Sequence, residues 1–338
     1  MGGRRGSLSL QPELRGVVER FSERDLIGWL HVPKGDGARR VDLFLDDLQV
    51  TSTYTSDDVK RPTPFPVRRF NLKMKGLWAF CSKRDRLRVC YEGRDLMIVG
   101  HGFTRPPPRT GNQGKDALAR LLAEGHVFNQ FGTLQQSKEH DTEWGDRNLR
   151  LYEHINDAFM EVRGEPLSIC YGTLLGAVRA GRFISHDHDV DACFVCKART
   201  AQDARAEMIA LVREMAGRGF DVQLKPSCVY LSHPDIPDAS IDVFHLYFDG
   251  SGELQFPFGS ASEEPFTIDR FGGYASIELE GRMVHAVSDP AEFVSRIYGK
   301  GWKEPNPGFN WKRERVRQAR DGRLTQEEIS QVEEQPIG

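Results

Sequence analysis

Asp189 and Asp191 flank a single valine at the head of a run that turns apolar, Ala192-Cys193-Phe194-Val195. An extended strand places residues i and i+2 on one face, so the two carboxylates point the same way. Side by side they repel unless a cation lies between them. An all-oxygen donor set of this kind suits Mg²⁺, with Mn²⁺ as the alternative. Phosphoryl and nucleotidyl transfer need such a site, because the metal neutralises phosphate charge and orients the groups for in-line attack. A third carboxylate is expected to complete the ligand set or to take the acceptor's proton. Asp242 is the candidate, since it opens the β-prone run SIDVFHLYF between Ile241 and Val243, where an acid has to be paired, metal-bound or at a strand end.

Other residues near the pair could serve the same chemistry. Gly172 and Thr173 form a Gly-Thr turn after a short apolar strand at 167–171. Glycine lets backbone approach a phosphate closely, and N–H groups at a helix start point toward an anion; the same dipeptide also serves as an ordinary helix cap. Arg179 ends the apolar helical stretch 174–179 and could fork onto a phosphate. His186 and His188 alternate with Asp187 and Asp189 in the loop 180–188, but no distant Cys/His set accompanies them to suggest zinc.

The elements that must position these groups follow from periodicity. Residues 148–162 place Leu149, Tyr152, Ile155, Phe159 and Val162 on one stripe, which predicts a helix leading into the 167–171 strand. Residues 200–216 predict a second, with Ala204, Met208, Leu211, Val212 and Met215 along one side and Gly217 and Gly219 as its stop. Residues 220–224 and 227–231 read as a strand pair around Lys225-Pro226, followed by the 240–248 strand. This order is α+β with a mixed sheet.

Residues 1–103 read differently. Short, partly alternating segments at 25–32, 41–48 and 86–91, then a turn at 92–95 and a hairpin return at 96–99, predict a small antiparallel β sandwich or barrel. Leu14, Val17, Val18 and Phe21 suggest a turn or two of helix before it. The acid pairs Asp46-Asp47 and Asp57-Asp58 sit at turn-like sites. The Pro/Gly-rich stretch 104–114, TRPPPRTGNQG, is expected to be a linker, with the catalytic domain at 115–338.

Composition limits the alternatives. At 338 residues, 39% hydrophobic and 28% charged, the chain has room for two domains of about 150 residues each. A net charge of −3 gives no general reason to expect nucleic acid as a partner. No apolar run approaches the roughly 20 residues of a membrane helix, and the first residues lack a signal-peptide core. The expectation is a cytoplasmic protein. The basic run 312–323 reads as a solvated helix face that could also give peripheral contact with the inner membrane surface. The six cysteines, Cys193 and Cys196 among them, read as core thiols. There is no Gly-rich dinucleotide fingerprint and no P-loop.

The sequence Tyr171-Gly172-Thr173-Leu174-Leu175-Gly176-Ala177-Val178-Arg179, followed by Asp187, Asp189 and Asp191 in a D-x-D-h-D pattern (h, apolar), resembles the LicD family. These are phosphotransferases of nucleotidyltransferase fold, including phosphocholine transferases and the fukutin and fukutin-related proteins. Ile241-Asp242-Val243-Phe244 is similar to the family's D-I-F-P block. Tyr298-Gly299-Lys300-Gly301-Trp302 with Pro305 resembles its Y-G-x-x-W-x-x-P ending, so the likeness spans about residues 148–311. It implies Mg²⁺-dependent transfer of a phospho-alcohol from a CDP-activated donor to a hydroxyl of a glycan or glycolipid, with release of CMP. By the same resemblance Asp189 and Asp191 hold the metal, and Asp242 is a third ligand or the general base. Gly172, Thr173 and Arg179 contact donor phosphates, and Asp187, His188, His245, Tyr298 and Trp302 belong to the substrate site. Two departures stand out: Ser185-His186-Asp187-His188-Asp189-Val190-Asp191 where relatives read P-W-D-D-D-I-D, and His245 in place of proline. Two other functions fit the same residues, nucleotidyl transfer with release of pyrophosphate and a silent glycan-binding role for the β region.

Overall fold

The computed structural model describes residues 15–32, 38–56, 67–129, 131–138, 140–304, 309, 311 and 315–334. The chain divides into two compact units, residues 1–135 and 136–338.

The first unit is β-rich, as expected. Strands β1 (Gly16–Phe21), β2 (Asp25–His31), β3 (Arg40–Leu45), β4 (Leu48–Tyr54), β5 (Val67–Lys73), β6 (Leu87–Tyr91), β7 (Arg94–Asp95) and β8 (Met97–Ile98) make two four-stranded sheets, β5-β2-β1-β8 and β4-β3-β6-β7. Alternate residues of both sheets, among them Leu26, Leu30, Leu43, Leu45, Phe70 and Leu87, share one core. Three expectations change. Val17, Val18 and Phe21 lie in strand β1 rather than a helical turn, since β-branched residues pack well on a pleated surface. The 41–48 segment breaks at Asp46, whose positive φ of 52° makes the β3–β4 turn. Residues 97 and 98 do not return on β6 but cross over to pair in parallel with β1. Asp57 and Asp58 lie outside the described residues.

The expected linker is part of this unit. The Gly111 N–H donates to Cys81 O at 2.9 Å and that of Gln113 to Ala79 O at 3.0 Å. Helix α1 (Lys115–Ala123) buries Leu118 in the same core. The short strands β9 (His126–Phe128) and β10 (Leu134–Gln136) follow, so the boundary falls near residue 135 rather than at 104–114.

The second unit is built on helix α2 (Thr142–Arg163), capped by the Asp141 carboxylate and ended by Gly164 at φ 72°. Its stripe of Leu149, Tyr152, Ile155 and Phe159 is buried, and truncating Phe159 to alanine would cost about 3–5 kcal/mol. The chain continues through β11 (Ser168–Ile169), α3 (Tyr171–Ala180), β12 (Val190–Cys196), α4 (Ala201–Gly217), β13 (Asp221–Leu224), β14 (Cys228–His233), β15 (Ile236–Phe248) and β16 (Leu254–Gln255). The sheet order is β11-β12-β15-β14-β13, with β16 added on β15. Only β12 and β15 run parallel; the other pairs are antiparallel. This is the mixed sheet of an α+β fold.

A hairpin of β17 (Tyr274–Leu279) and β18 (Arg282–Val287), then helix α5 (Pro290–Tyr298), complete the surroundings of α3. The basic run is not a helix over its described part. Arg315 lies 4.6 Å over the Phe258 ring, Arg317 pairs with Glu253, and 320–322 form a single 3₁₀ turn. Residues 312–314 lie outside the described residues. All six cysteines are buried and free.

Candidate active site

The parallel pairing of β12 and β15 sets Asp191 directly opposite Asp242. Both face one side of the sheet, and Asp189, two residues before Asp191 and just ahead of β12, points to the same side. One carboxylate oxygen from each of Asp189, Asp191 and Asp242 lies within 4.8 Å of the others. A second group, Asp187, His188 and Asp189, meets the same limit and shares Asp189 with the first. The three acids singled out by spacing therefore converge in space.

Asp191 is the best-held member. Its N–H donates to Thr173 Oγ1 at 2.8 Å, its carbonyl accepts from the Cys170 N–H at 3.0 Å, and its Oδ2 accepts from the Gly172 N–H at 2.9 Å. The expected turn at Gly172 and Thr173 is thus the first turn of α3, which starts one residue earlier, and the Gly172 N–H meets a protein carboxylate. Thr173 is fully buried. It supports Asp191 from behind, and its hydroxyl is not placed to touch a donor phosphate. A Cβ on Gly172 would lie 3.0 Å from Asp187 Oδ2 and 3.2 Å from Asp191 Oδ2. A side chain there would press on both carboxylates, which would have to give by a few tenths of an ångström.

Tyr171 begins α3 at φ 39°, a left-handed conformation that costs a non-glycine residue energy. Its hydroxyl donates to Gly259 O at 3.1 Å, and its ring contacts Phe244, Phe258 and Trp311 at 4.7, 5.1 and 5.4 Å. These contacts hold the strained residue where the acids need the following N–H. The loop beyond α3 is pinned too. Phe183 N–H donates to Glu280 Oε1 at the β17–β18 turn (2.9 Å), and Lys138 N–H donates to Ser185 O (2.9 Å).

The electrostatics follow from burial and crowding. Burial first, then the charge of Asp189, pushes both Asp187 and Asp242 up to about 8; Lys225 pulls Asp242 back in part. Asp191 is raised well above the carboxylate range by burial and then by Asp189, Asp187 and Asp242, against the Gly172 N–H. Asp189 is raised by burial, opposed by His188 at 3.5 Å. Without a cation the four cannot all be ionised at neutral pH. A divalent ion would supply the missing positive charge, and the converging all-carboxylate donors fit one.

Other expected site residues lie elsewhere. His245 is three residues from Asp242 on β15 and so faces the opposite side of the sheet, fully buried, with Nε2 2.7 Å from Gly322 O. Arg179 is committed to backbone: its Nε donates to Trp302 O at 2.8 Å and its Nη2 to Trp302 O and Glu304 O. It ties α3 to the segment after α5 and does not reach for an anion. Trp302 supplies that carbonyl. Tyr298 packs its ring 5.3 Å from that of Trp311, and burial and then the charges of Asp191 and Asp187 raise its phenol. Pro305 lies outside the described residues. Two residues absent from the sequence expectation belong here: Tyr230, directly across from Asp242 on β14, and Lys225 at the β13–β14 turn, its Nζ 5.2 Å from the Tyr230 ring.

The carboxylates converge on one face of a mixed sheet, held by the start of a helix, an arrangement that could hold a metal ion. Residues 164–252 match the family model described as LicD/FKTN/FKRP, nucleotidyltransferase domain. The matched residues contain Gly172, Thr173, Arg179 and all four site aspartates. Comparison with curated proteins finds no match. Among solved structures, that of the lincosamide antibiotic adenylyltransferase LnuA bound to lincomycin is 12% identical, with a TM-score of 0.29, over 55% of this chain and 96% of that one. No helix among the described residues is long and apolar enough to cross a membrane.

Proposed function

We propose that this chain is a Mg²⁺-dependent phosphotransferase that moves a phospho-alcohol of the choline, ribitol or glycerol phosphate type from a CDP-activated donor to a hydroxyl of a glycan or glycolipid. The convergence of Asp189, Asp191 and Asp242 within 4.8 Å carries the proposal. Asp189 and Asp191 would hold the metal, with Asp242 as third ligand or base. When bound, the ion supplies charge neutralisation at the diphosphate.

The chain's own groups do the rest. The Gly172 N–H and the Thr173 hydroxyl keep Asp191 in register. In the base role Asp242, ionised when the cation is bound, would take the proton of the attacking hydroxyl. The new bond joins the acceptor oxygen to the phosphorus bearing the alcohol; the bond that breaks is the phosphoanhydride, and CMP leaves. Mn²⁺ would serve in place of Mg²⁺. Peripheral contact with the inner membrane face would bring a cytoplasmic enzyme to a lipid-linked acceptor.

The test is product analysis with CDP-choline, CDP-ribitol and CDP-glycerol in the presence of Mg²⁺ and an acceptor glycan. CMP release that stops with EDTA supports the proposal. Pyrophosphate release from a nucleoside triphosphate would instead support nucleotidyl transfer, the reading favoured by the matched domain's description.

A further inference from the structure

The acidic site continues across the sheet. Pairing sets Asp191 opposite Asp242, Asp242 opposite Tyr230, and Tyr230 opposite Gln223. Residues directly opposite on paired strands share a face, so one polar row runs from the carboxylates over β15 and β14 to β13. The next row on that face is Cys193, Phe244 and Cys228, all buried. The face is polar at the row that holds the acids and apolar immediately behind it.

Lys225 stands at the β13–β14 turn, two residues beyond Gln223 and level with Cys228 in the row behind. The hairpin that carries it is fixed: Lys225 N–H donates to Cys228 O at 2.8 Å, and Leu324 N–H donates to Pro226 O at 2.7 Å. Its ammonium lies 5.2 Å from the centre of the Tyr230 ring. That ring holds it half-buried beside Asp242 and leaves it without a salt bridge to any carboxylate within 4.0 Å among the described residues.

We propose that Lys225, positioned by Tyr230, binds the diphosphate of the donor beside the metal. A row of carboxylates repels phosphate, and a divalent ion already shared by three carboxylates leaves the two negative charges of the donor diphosphate uncompensated. A second cation on the same face, with no described carboxylate within 4.0 Å of it, supplies the remaining charge. Arg179, the cation that sequence spacing favoured for this task, is bound to Trp302 and Glu304 carbonyls instead. The proposal rests on the transfer function above, and inorganic pyrophosphate as the probe separates the two.

The experiment measures binding of Mg²⁺–pyrophosphate by calorimetry, and of Mn²⁺ alone by electron paramagnetic resonance, in the wild-type chain and in Lys225→Met, Lys225→Arg and Tyr230→Phe. Lys225→Met should weaken pyrophosphate about tenfold to a hundredfold, with Mn²⁺ binding and melting temperature unchanged. Lys225→Arg should recover most of the loss, and Tyr230→Phe, which keeps the ring, should bind as wild type. Equal pyrophosphate affinity in wild type and Lys225→Met overturns the proposal and leaves the transfer function standing. A wild-type chain that binds neither Mn²⁺ nor the metal–pyrophosphate complex overturns both.

Discussion

The two faces of β15 carry two buried titratable groups three residues apart, with opposite outcomes. On one, Asp242 is pushed up to about 8 by burial and by the charge of Asp189. On the other, His245 is pushed down to about 4 by burial, against the Gly322 carbonyl that its ring N–H meets. Both shifts begin with loss of water. The difference lies in what surrounds each group. His245 has Arg205 and Glu207 near it with opposing effects, so burial decides, and it rests neutral and holds a loop. Asp242 shares its space with Asp189 and Asp191, and neutrality there means protons that a divalent ion can replace. Convergence of like charges, more than burial, marks the functional face.

The largest effect expected from breaking this contrast is on the acid face. Asp191→Ala should lower turnover at least about a thousandfold, since it removes several kcal/mol of charge stabilisation, while the circular dichroism of the fold is retained. Gly172→Ala should weaken metal binding about tenfold to a hundredfold, because its Cβ would press on Asp187 and Asp191; a Mn²⁺ titration measures it. On the other face, His245→Leu should cost about 1–3 kcal/mol of stability by leaving the Gly322 carbonyl without its donor. Turnover per folded molecule should not change, and denaturant melts with parallel assays separate the two.

The smallest effect is on pH dependence. Asp187 and Asp242 bind protons more tightly in the folded chain than at their ordinary value near 3.8, so they make the metal-free protein lose stability as pH rises from about 4 to about 8. His245 acts in the other direction, its contribution being lost as pH falls from 6.5 toward 4. Thermal melts in EDTA should therefore fall above pH 6.5, and melts in Mg²⁺ should hold there. A Mg²⁺-induced shift that does not grow with pH would contradict the assignment.

The sequence made the acids legible because carboxylates at i and i+2 before an apolar run have few structural uses. The mixed α+β sheet and the stripes of α2 and α4 were legible from periodicity. The partners of the acids were not. The hydrogen bonds of Thr173, Gly172 and Arg179 run to residues 18, 19 and 123 positions away, which spacing does not encode. His245 could have been set aside by parity alone, since an odd separation from Asp242 turns it to the other face. Lys225 and Tyr230 became visible only through the antiparallel register of β13, β14 and β15. The boundary near residue 135 was hidden because a proline-rich stretch reads as a spacer even where its backbone bonds into a sandwich.

The central claim is that Asp189, Asp191 and Asp242 form one metal site. A Mn²⁺ titration of the wild-type chain and of Asp191→Asn, followed by electron paramagnetic resonance, tests it most directly. The account predicts that the wild type binds Mn²⁺, that Mg²⁺ competes it off, and that Asp191→Asn loses this binding while remaining folded. A wild-type chain that leaves Mn²⁺ free, or an Asp191→Asn variant that binds it as tightly, would contradict it.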